Sequence, residues 1–257
     1  MTDAQTAARS DAQSAAAWLR AVVESTEQLL ADVAELKPEA VAEPSALPGW
    51  TRGHVLAHIS RNADSLVNLL DSARTGRDIP QYASPEARDQ GIEEGAGRPL
   101  DEQLADLEAS HRRFMDAAAL LPDEAWSVQL KHRSGYLFPA HELPYKRLLE
   151  LEYHHVDLAA GHTPAHWPDT MATSQFTRLA AQFRAVEGLP GMVLVAEDAG
   201  LREQLGAGEP ELTVEGPVRA LTAWLSGRAD GDGLQVHRGG ELVSDARTAL
   251  PELPPML

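Results

Sequence analysis

The chain has 257 residues, enough for one large or two modest domains with real hydrophobic cores. Its composition is that of a soluble globular protein, with 43% hydrophobic and 24% charged residues, and its formal net charge is −17. This charge argues against a nucleic-acid backbone or an anionic membrane as partner, and an anionic substrate would need a locally positive pocket.

The sequence contains no cysteine, which excludes disulfides, thiolate metal ligands and a cysteine nucleophile. Any thiol chemistry therefore needs a thiol that arrives as a small molecule. The first residues lack a basic region followed by an apolar run, and no stretch approaches the ~18 apolar residues of a transmembrane helix. We expect no signal peptide, no membrane span and a cytoplasmic location.

The first two-thirds of the sequence predicts helices. Apolar residues at helical spacing predict a helix over residues 11–36, and a second that starts after Thr51 and is ended by Gly76. The polar segment 78–99, rich in Gly and Pro, predicts a long loop. The remaining predicted elements of this part are a helix over residues 100–121, a second long connection over 122–139 and a fourth helix over 141–160.

Four helices with two long connections predict a four-helix bundle whose loops gather over a site at one end. The pattern then changes. Helices predicted over residues 173–187 and 217–227 alternate with strand-like segments at 191–197, 211–216 and 234–239, followed by a Pro-rich tail. We expect an α+β protein with a helix bundle over residues 1–165 and a small α/β domain over residues 166–257.

The fourth predicted helix contains a candidate metal site. Glu150 and His154 lie on one helical face, and Asp157 joins them two turns after Glu150. Glu-x-x-x-His offers two ligands suited to zinc, and a third must come from another element. On the second helix, His54 and His58 are both candidates. The alternatives are an exposed ion pair on the fourth helix and capping or core histidines on the second.

Four segments carry a resemblance to a known family. They are "LPGWTRGHVLAHISRNADSL", "IPQYASPEARDQGI", "RLLELEYHHVDL" and "VRALTAWLSGRADGDGL", in the same order and spacing from about Leu47 to Gly233. These segments resemble the mycothiol-dependent maleylpyruvate isomerases, which belong to the DinB-like metal-binding helix bundles. The resemblance implies a DinB-like four-helix bundle followed by a small α/β sterol-carrier-like domain.

The resemblance also implies functional residues. The family's zinc ligands fall on His58, Glu150 and His154, and the arginine of its C-terminal domain falls on Arg228. We expect Arg228 to clamp a substrate carboxylate or an enolate, because arginine binds carboxylates bidentately. The alternative for Arg228 is a cap on the helix before it. Leu149 departs from the family pattern, in which we expect a basic residue before the glutamate.

Two further residues are candidates for substrate or thiol binding. Arg88 lies in the "SPEAR" motif, and its alternative role is an ion pair within the loop, with Glu86 or Asp89. Asn62 follows His58 by one turn, and its alternatives are support of the site or an ordinary polar helix position. Asp157 is expected to accept the N–H of His154 and so set its tautomer. His155 is expected to be a surface or helix-packing residue rather than a fourth ligand.

The resemblance implies the cis–trans isomerisation of maleylpyruvate to fumarylpyruvate in a gentisate-type aromatic degradation pathway, with Zn²⁺ and mycothiol as cofactors. A thiolate that adds reversibly to the conjugated double bond turns it into a single bond and permits rotation. Zinc with three protein ligands keeps a position open for that thiol. The alternatives are a mycothiol S-transferase acting on other electrophiles and a non-enzymatic ligand-binding protein. We expect a monomer whose partners are small molecules.

Overall fold

The structure is a computed structural model that describes residues 3–184 and 186–254. One position of the helix predicted over residues 173–187, and the end of the Pro-rich tail, lie outside the described residues. The chain forms two compact units, Met1–Gly161 and His162–Leu257. Helices make up most of the first unit and a sheet forms the centre of the second, so the predicted α+β class is confirmed. The assignment of domains with a boundary at residue 165 stays a prediction.

The first unit is a bundle of four long helices with a shorter one on its side. The helices are α1 Asp3–Ala34, α2 Arg52–Thr75, α3 Pro85–Ala96, α4 Leu100–Ala119 and α5 Leu143–Asp157. Each long helix packs mainly against two of the others, α2 against α4 and α5, and α1 against α5 and α4. Apolar side chains three or four positions apart face inward from each of them. The shorter helix α3 packs against α2.

Helix α2 begins and ends where the sequence predicts. Thr51 is its N-cap, and its hydroxyl accepts a hydrogen bond from the amide of His54. Gly76 closes the helix in the left-handed conformation, with φ +70°, and its N–H donates to the carbonyl of Ser72. These two ends fix the length of the helix that carries the candidate ligand His58.

The two segments predicted as long connections contain regular structure, which corrects that prediction. Helix α3 lies inside segment 78–99, where Ser84 caps the amide of Ala87 at 3.1 Å and Pro85 occupies the first helical turn. It buries little apolar surface, so it leaves almost no periodic signal in the sequence. Segment 122–139 contains a short antiparallel hairpin, with strands β1 Gln129–Lys131 and β2 Leu137–Pro139.

The second unit is built on a five-stranded sheet. Its strands are β3 Pro190–Ala196, β4 Leu201–Leu205, β5 Ala207–Glu215, β6 Gln235–Arg238 and β7 Glu241–Leu242, and its helices are α6 Asp169–Phe183, α7 Val218–Leu225 and α8 Ala246–Ala249. In the sheet order β4-β3-β5-β6-β7, the β3–β5 pair is parallel and the other pairs are antiparallel. Side chains of α6 and α7 share one buried core with the sheet. Across the described ranges, no helix is both long and apolar enough to span a membrane.

Candidate metal centre

Helices α2 and α5 bring three potential ligand atoms to one point. Nε2 of His58 lies 3.0 Å from Oε2 of Glu150 and 3.0 Å from Nε2 of His154. Within α5, Nε2 of His154 is 3.4 Å from Oε2 of Glu150. The helical period aligns the pair on α5, and the packing of α2 on α5 supplies the third atom.

The spacing of these three atoms suits a tetrahedral zinc ion. Zinc bonds to imidazole nitrogen and carboxylate oxygen of about 2.0–2.1 Å place neighbouring ligand atoms about 3.3 Å apart in a tetrahedron. The observed separations of 3.0, 3.0 and 3.4 Å are close to that value. Two imidazoles and one carboxylate are also a donor set that zinc accepts, and three ligands leave the fourth position open.

Asp157 supports the orientation of one ligand. Its Oδ2 lies 2.9 Å from Nδ1 of His154, and its side chain is buried. A carboxylate on Nδ1 holds the proton there and leaves the Nε2 lone pair free for a metal. The expected contact between Asp157 and His154 is therefore present. His58 has no such support, because its buried Nδ1 has no hydrogen-bond partner within the described ranges.

Electrostatics favour the ionised carboxylate at this point. Burial alone would raise the pKa of Glu150, but hydrogen bonds from His154 and His58 outweigh it, and the pKa lies well below its usual range. Burial lowers the pKa of His58, which keeps its imidazole neutral. Burial also opposes the charge on His154, but the neighbouring carboxylates of Asp157 and Glu150 raise its pKa overall.

The other histidine candidate on α2 has a different role. His54 forms a capping box with Thr51, with Nδ1 at 3.2 Å from the Thr51 amide and 2.7 Å from its hydroxyl. Its Nε2 lies 3.4 Å from a carboxylate oxygen of Glu93 on α3. The structure thus groups His58, and not His54, with the pair on α5. That these three residues are zinc ligands stays a prediction.

Two residues of the site were missed in the sequence. The ring of Trp50 lies against His58, with centroids 5.6 Å apart. Arg147 is almost fully buried, and burial lowers its pKa to about 10 while the charge of Glu150 opposes that shift. Arg147 therefore places a positive charge near Glu150, as a basic residue at position 149 would have done. The spacing of three between Arg147 and Glu150 was the available signal, since it places both on one face of α5.

The two lesser candidates for substrate or thiol binding have contacts inside the protein. The side-chain oxygen of Asn62 accepts a hydrogen bond of 2.8 Å from Nη1 of Arg147, which also donates to the carbonyl of Ile59. Arg88 forms the ion pair with Asp89 weighed above, at 2.7 Å, but both residues lie in the first turns of α3 and not in a loop. Arg88 also lines a pocket described below. Their roles toward substrate or thiol stay predictions.

His155 has the contacts of the packing role expected for it, and Arg228 has those of its alternative role as a helix cap. His155 is buried, with Nε2 3.0 Å from a carboxylate oxygen of Asp32 on α1, so it packs between helices. In the second unit, Arg228 lies just after α7. Its Nη1 donates to the carbonyl of Ser226, the C-cap residue, at 2.8 Å, and its amide donates to the carbonyl of Ala223. The catalytic role of Arg228 stays a prediction.

Comparison with known proteins decides the family. The model of the family described as mycothiol maleylpyruvate isomerase N-terminal domain matches residues 22–159, which is more than half of the chain. The chain belongs to this family. The match covers both helices that carry the candidate ligands and most of the first unit, so the candidate metal centre lies in the part that defines the mycothiol maleylpyruvate isomerase family.

Solved structures extend the likeness to the second unit. A crystal structure of the mycothiol-dependent maleylpyruvate isomerase matches with a TM-score of 0.83 and 28% identity, covering 94% of this chain and 97% of that one. The structure of a mutant of that enzyme, with one histidine replaced by alanine, gives the same values. Among curated proteins, no relative matches significantly.

Proposed function

We propose that this chain is a zinc- and mycothiol-dependent isomerase that converts maleylpyruvate to fumarylpyruvate by reversible thiolate addition. The observation that carries the proposal is the convergence of His58, Glu150 and His154 in a member of this isomerase family. The likeness to the solved isomerase over 94% of the chain supports the same activity for the two units together. We further place the reaction in gentisate-type aromatic degradation in the cytoplasm.

Zinc would be held by Nε2 of His58, Oε2 of Glu150 and Nε2 of His154. When bound, zinc would lower the pKa of a coordinated thiol, and mycothiol would supply that thiol to a chain that has no cysteine. Asp157 keeps the Nδ1 proton of His154 in place, so that Nε2 stays a ligand. The ring of Trp50 covers His58, whose side chain is only 7% exposed, and limits access of water to that ligand.

The proposed substrate carries two negative charges, so its binding requires positively charged side chains. We propose that the guanidinium of Arg228 clamps a substrate carboxylate or the enolate oxygen, where charge develops during the reaction. Arg88 and Asn62 are secondary candidates for contacts to substrate or thiol. Arg147 is engaged with Ile59 and Asn62 and therefore positions α5 against α2 rather than binding substrate.

The proposal is tested by the thiol requirement. Zinc-loaded protein that has been extensively dialysed should leave maleylpyruvate unchanged, and fumarylpyruvate should form once mycothiol is added. Full turnover without added thiol would mean that water or a side chain is the nucleophile and would contradict the proposal. If mycothiol were joined to a bimane electrophile while maleylpyruvate stayed unchanged, the chain would be an S-transferase instead.

A further inference from the structure

A basic pocket lies in the first unit, between the segment before α3 and the hairpin of β1 and β2. Its volume is about 320 Å³, within the range of small-molecule sites. Arg88, Lys131 and Arg133 line it, and Asp78 is the one carboxylate among its lining residues. The chain has a net charge of −17, but three basic side chains and one carboxylate line this pocket, so its local charge is positive.

Two of these cations lack a counter-charge. Arg88 pairs with Asp89, whereas Lys131 and Arg133 form no ion pair with any residue that the structure describes. Arginines elsewhere in the bundle pair readily, as Arg61 does with Asp106 at 2.7 Å. Cations that line a concave surface without a carboxylate partner attract an anion, and arginine suits a carboxylate because it offers two parallel hydrogen bonds.

The wall of the pocket is fixed to the bundle. The amide of Arg133 donates to the side-chain oxygen of Gln81 at 3.4 Å. Gln81 is buried, and α2 holds it from two positions: Asn68 donates to its carbonyl at 3.2 Å and Ser65 accepts from its side-chain amide at 3.3 Å. The hairpin turn is therefore held against the same helix that carries His58.

The pocket and the candidate metal centre lie along the same two helices. Tyr82 lines the pocket and forms a side-chain hydrogen bond with Ser65 on α2, two helical turns after His58. Lys146 on α5, one turn before the candidate glutamate ligand, donates to the hydroxyl of Tyr136 in the hairpin turn at 3.0 Å. The wall of the pocket is thus held about 10 Å along α2 from His58.

We propose that Arg133 and Lys131 bind one carboxylate of the anionic substrate in this pocket and direct its double bond toward the metal centre. This inference rests on the proposed function. The choice of occupant follows from charge: a dicarboxylate matches unpaired cations, whereas a thiol whose bulk is sugar offers mainly hydroxyl groups. Arg133 and Lys131 would then determine specificity for acidic substrates.

The test separates substrate affinity from thiol affinity. In Arg133→Gln, the KM for maleylpyruvate should rise about tenfold or more, as expected when a hydrogen-bonded charge is lost. The KM for mycothiol and the zinc content should be unchanged, and Arg133→Gln combined with Lys131→Gln should raise the maleylpyruvate KM further. The control is Arg20→Gln, which removes the same charge from an exposed position on α1 and should behave as wild type.

A binding measurement keeps this inference separate from the proposed function. Titration calorimetry with maleate, a small dicarboxylate, should show binding to zinc-loaded wild type and a loss of about tenfold or more in affinity in Arg133→Gln. If maleate binds in this way but maleylpyruvate is not turned over, carboxylate binding by Arg133 is supported and only the proposed function is contradicted. The inference is overturned if maleate fails to bind wild type, if Arg133→Gln binds it equally well, or if the mycothiol KM changes instead.

Discussion

At the scale of single residues, His54 and His58 lie four positions apart on α2 but have different roles. His54 binds the amide and hydroxyl of Thr51 and stabilises the start of α2. His58 lies one turn further along, where its Nε2 meets the side chains of Glu150 and His154. The local contacts of each imidazole, rather than its residue type, therefore determine whether it can serve a metal.

We expect His58→Ala to lose zinc and His54→Ala to retain it. His58→Ala removes one of three ligands, whereas His54→Ala removes only one part of a capping box, which should lower the free energy of unfolding by about 0.5–2 kcal/mol. Metal content measured on both purified variants checks this. Zinc retained in stoichiometric amount by His58→Ala would show that the ligand set is wrong.

The sequence predicts one part of this site better than another. Glu150 and His154 share a face because the helical period requires it, so their proximity could be predicted. The choice between His54 and His58 depends on how α2 is rotated and packed against α5, which spacing along one helix does not encode. Trp50 was missed for the same reason, since it precedes α2 and reaches His58 only through the folded loop.

At the scale of elements, α3 lies unusually close to α2. A Cβ atom at Gly53 would lie 2.2 Å from the carbonyl oxygen of Ala96, and one at Gly95 would lie 2.7 Å from the Cβ of Ala57. Small residues on both helices thus permit a contact that larger ones would prevent. The contact keeps α3 and the segment before it, which lines the basic pocket, against the bundle.

We expect Gly53→Ala to lower the free energy of unfolding by about 1–3 kcal/mol, because overpacking forces backbone movement where α2 meets α3. Helix propensity alone would change stability in the opposite direction, by up to about 1 kcal/mol in favour of alanine. Gly97→Ala is the matched control, since a Cβ there meets nothing within 4 Å. Urea unfolding measures both variants, and a Gly53→Ala protein as stable as wild type would disprove this close contact.

Element prediction succeeded where local signals were strong. Thr51 and Gly76 mark the ends of α2 by chemistry that acts within a few residues, and both ends were predicted correctly. Helix α3 was missed because its few buried residues give no apolar period. Strand β4 was missed because "LREQL" is mostly polar, and its place in the sheet depends on pairing with β3 across a turn.

At the scale of the whole molecule, the negative net charge of the chain opposes binding of the dianionic substrate that we propose. A chain at −17 repels a dianion at long range, so binding depends on cations close to the site. The first unit offers the basic pocket, and the second unit is proposed to offer Arg228. The family match ends at residue 159, so the role of the second unit rests on its likeness to the solved isomerase.

We expect Arg228→Lys to lose most of its kcat/KM for maleylpyruvate, by roughly 10²–10³-fold if the guanidinium stabilises charge in the transition state. Lysine keeps the charge but cannot bind a carboxylate through two parallel hydrogen bonds. Zinc content should be unchanged. Arg238→Lys, at an exposed position on β6, is the matched control. Near wild-type kinetics in Arg228→Lys would show that this arginine caps the helix through Ser226 and takes no part in catalysis.

The most direct test of the account is a zinc titration of metal-free protein, followed by turnover of maleylpyruvate in the presence of mycothiol. We predict no turnover without metal and a rate that increases in proportion to added zinc until each chain holds a single ion. The same titration of His58→Ala should restore no activity. Full turnover by metal-free wild type, or equal recovery by His58→Ala, would contradict a reaction that depends on zinc held by His58, Glu150 and His154.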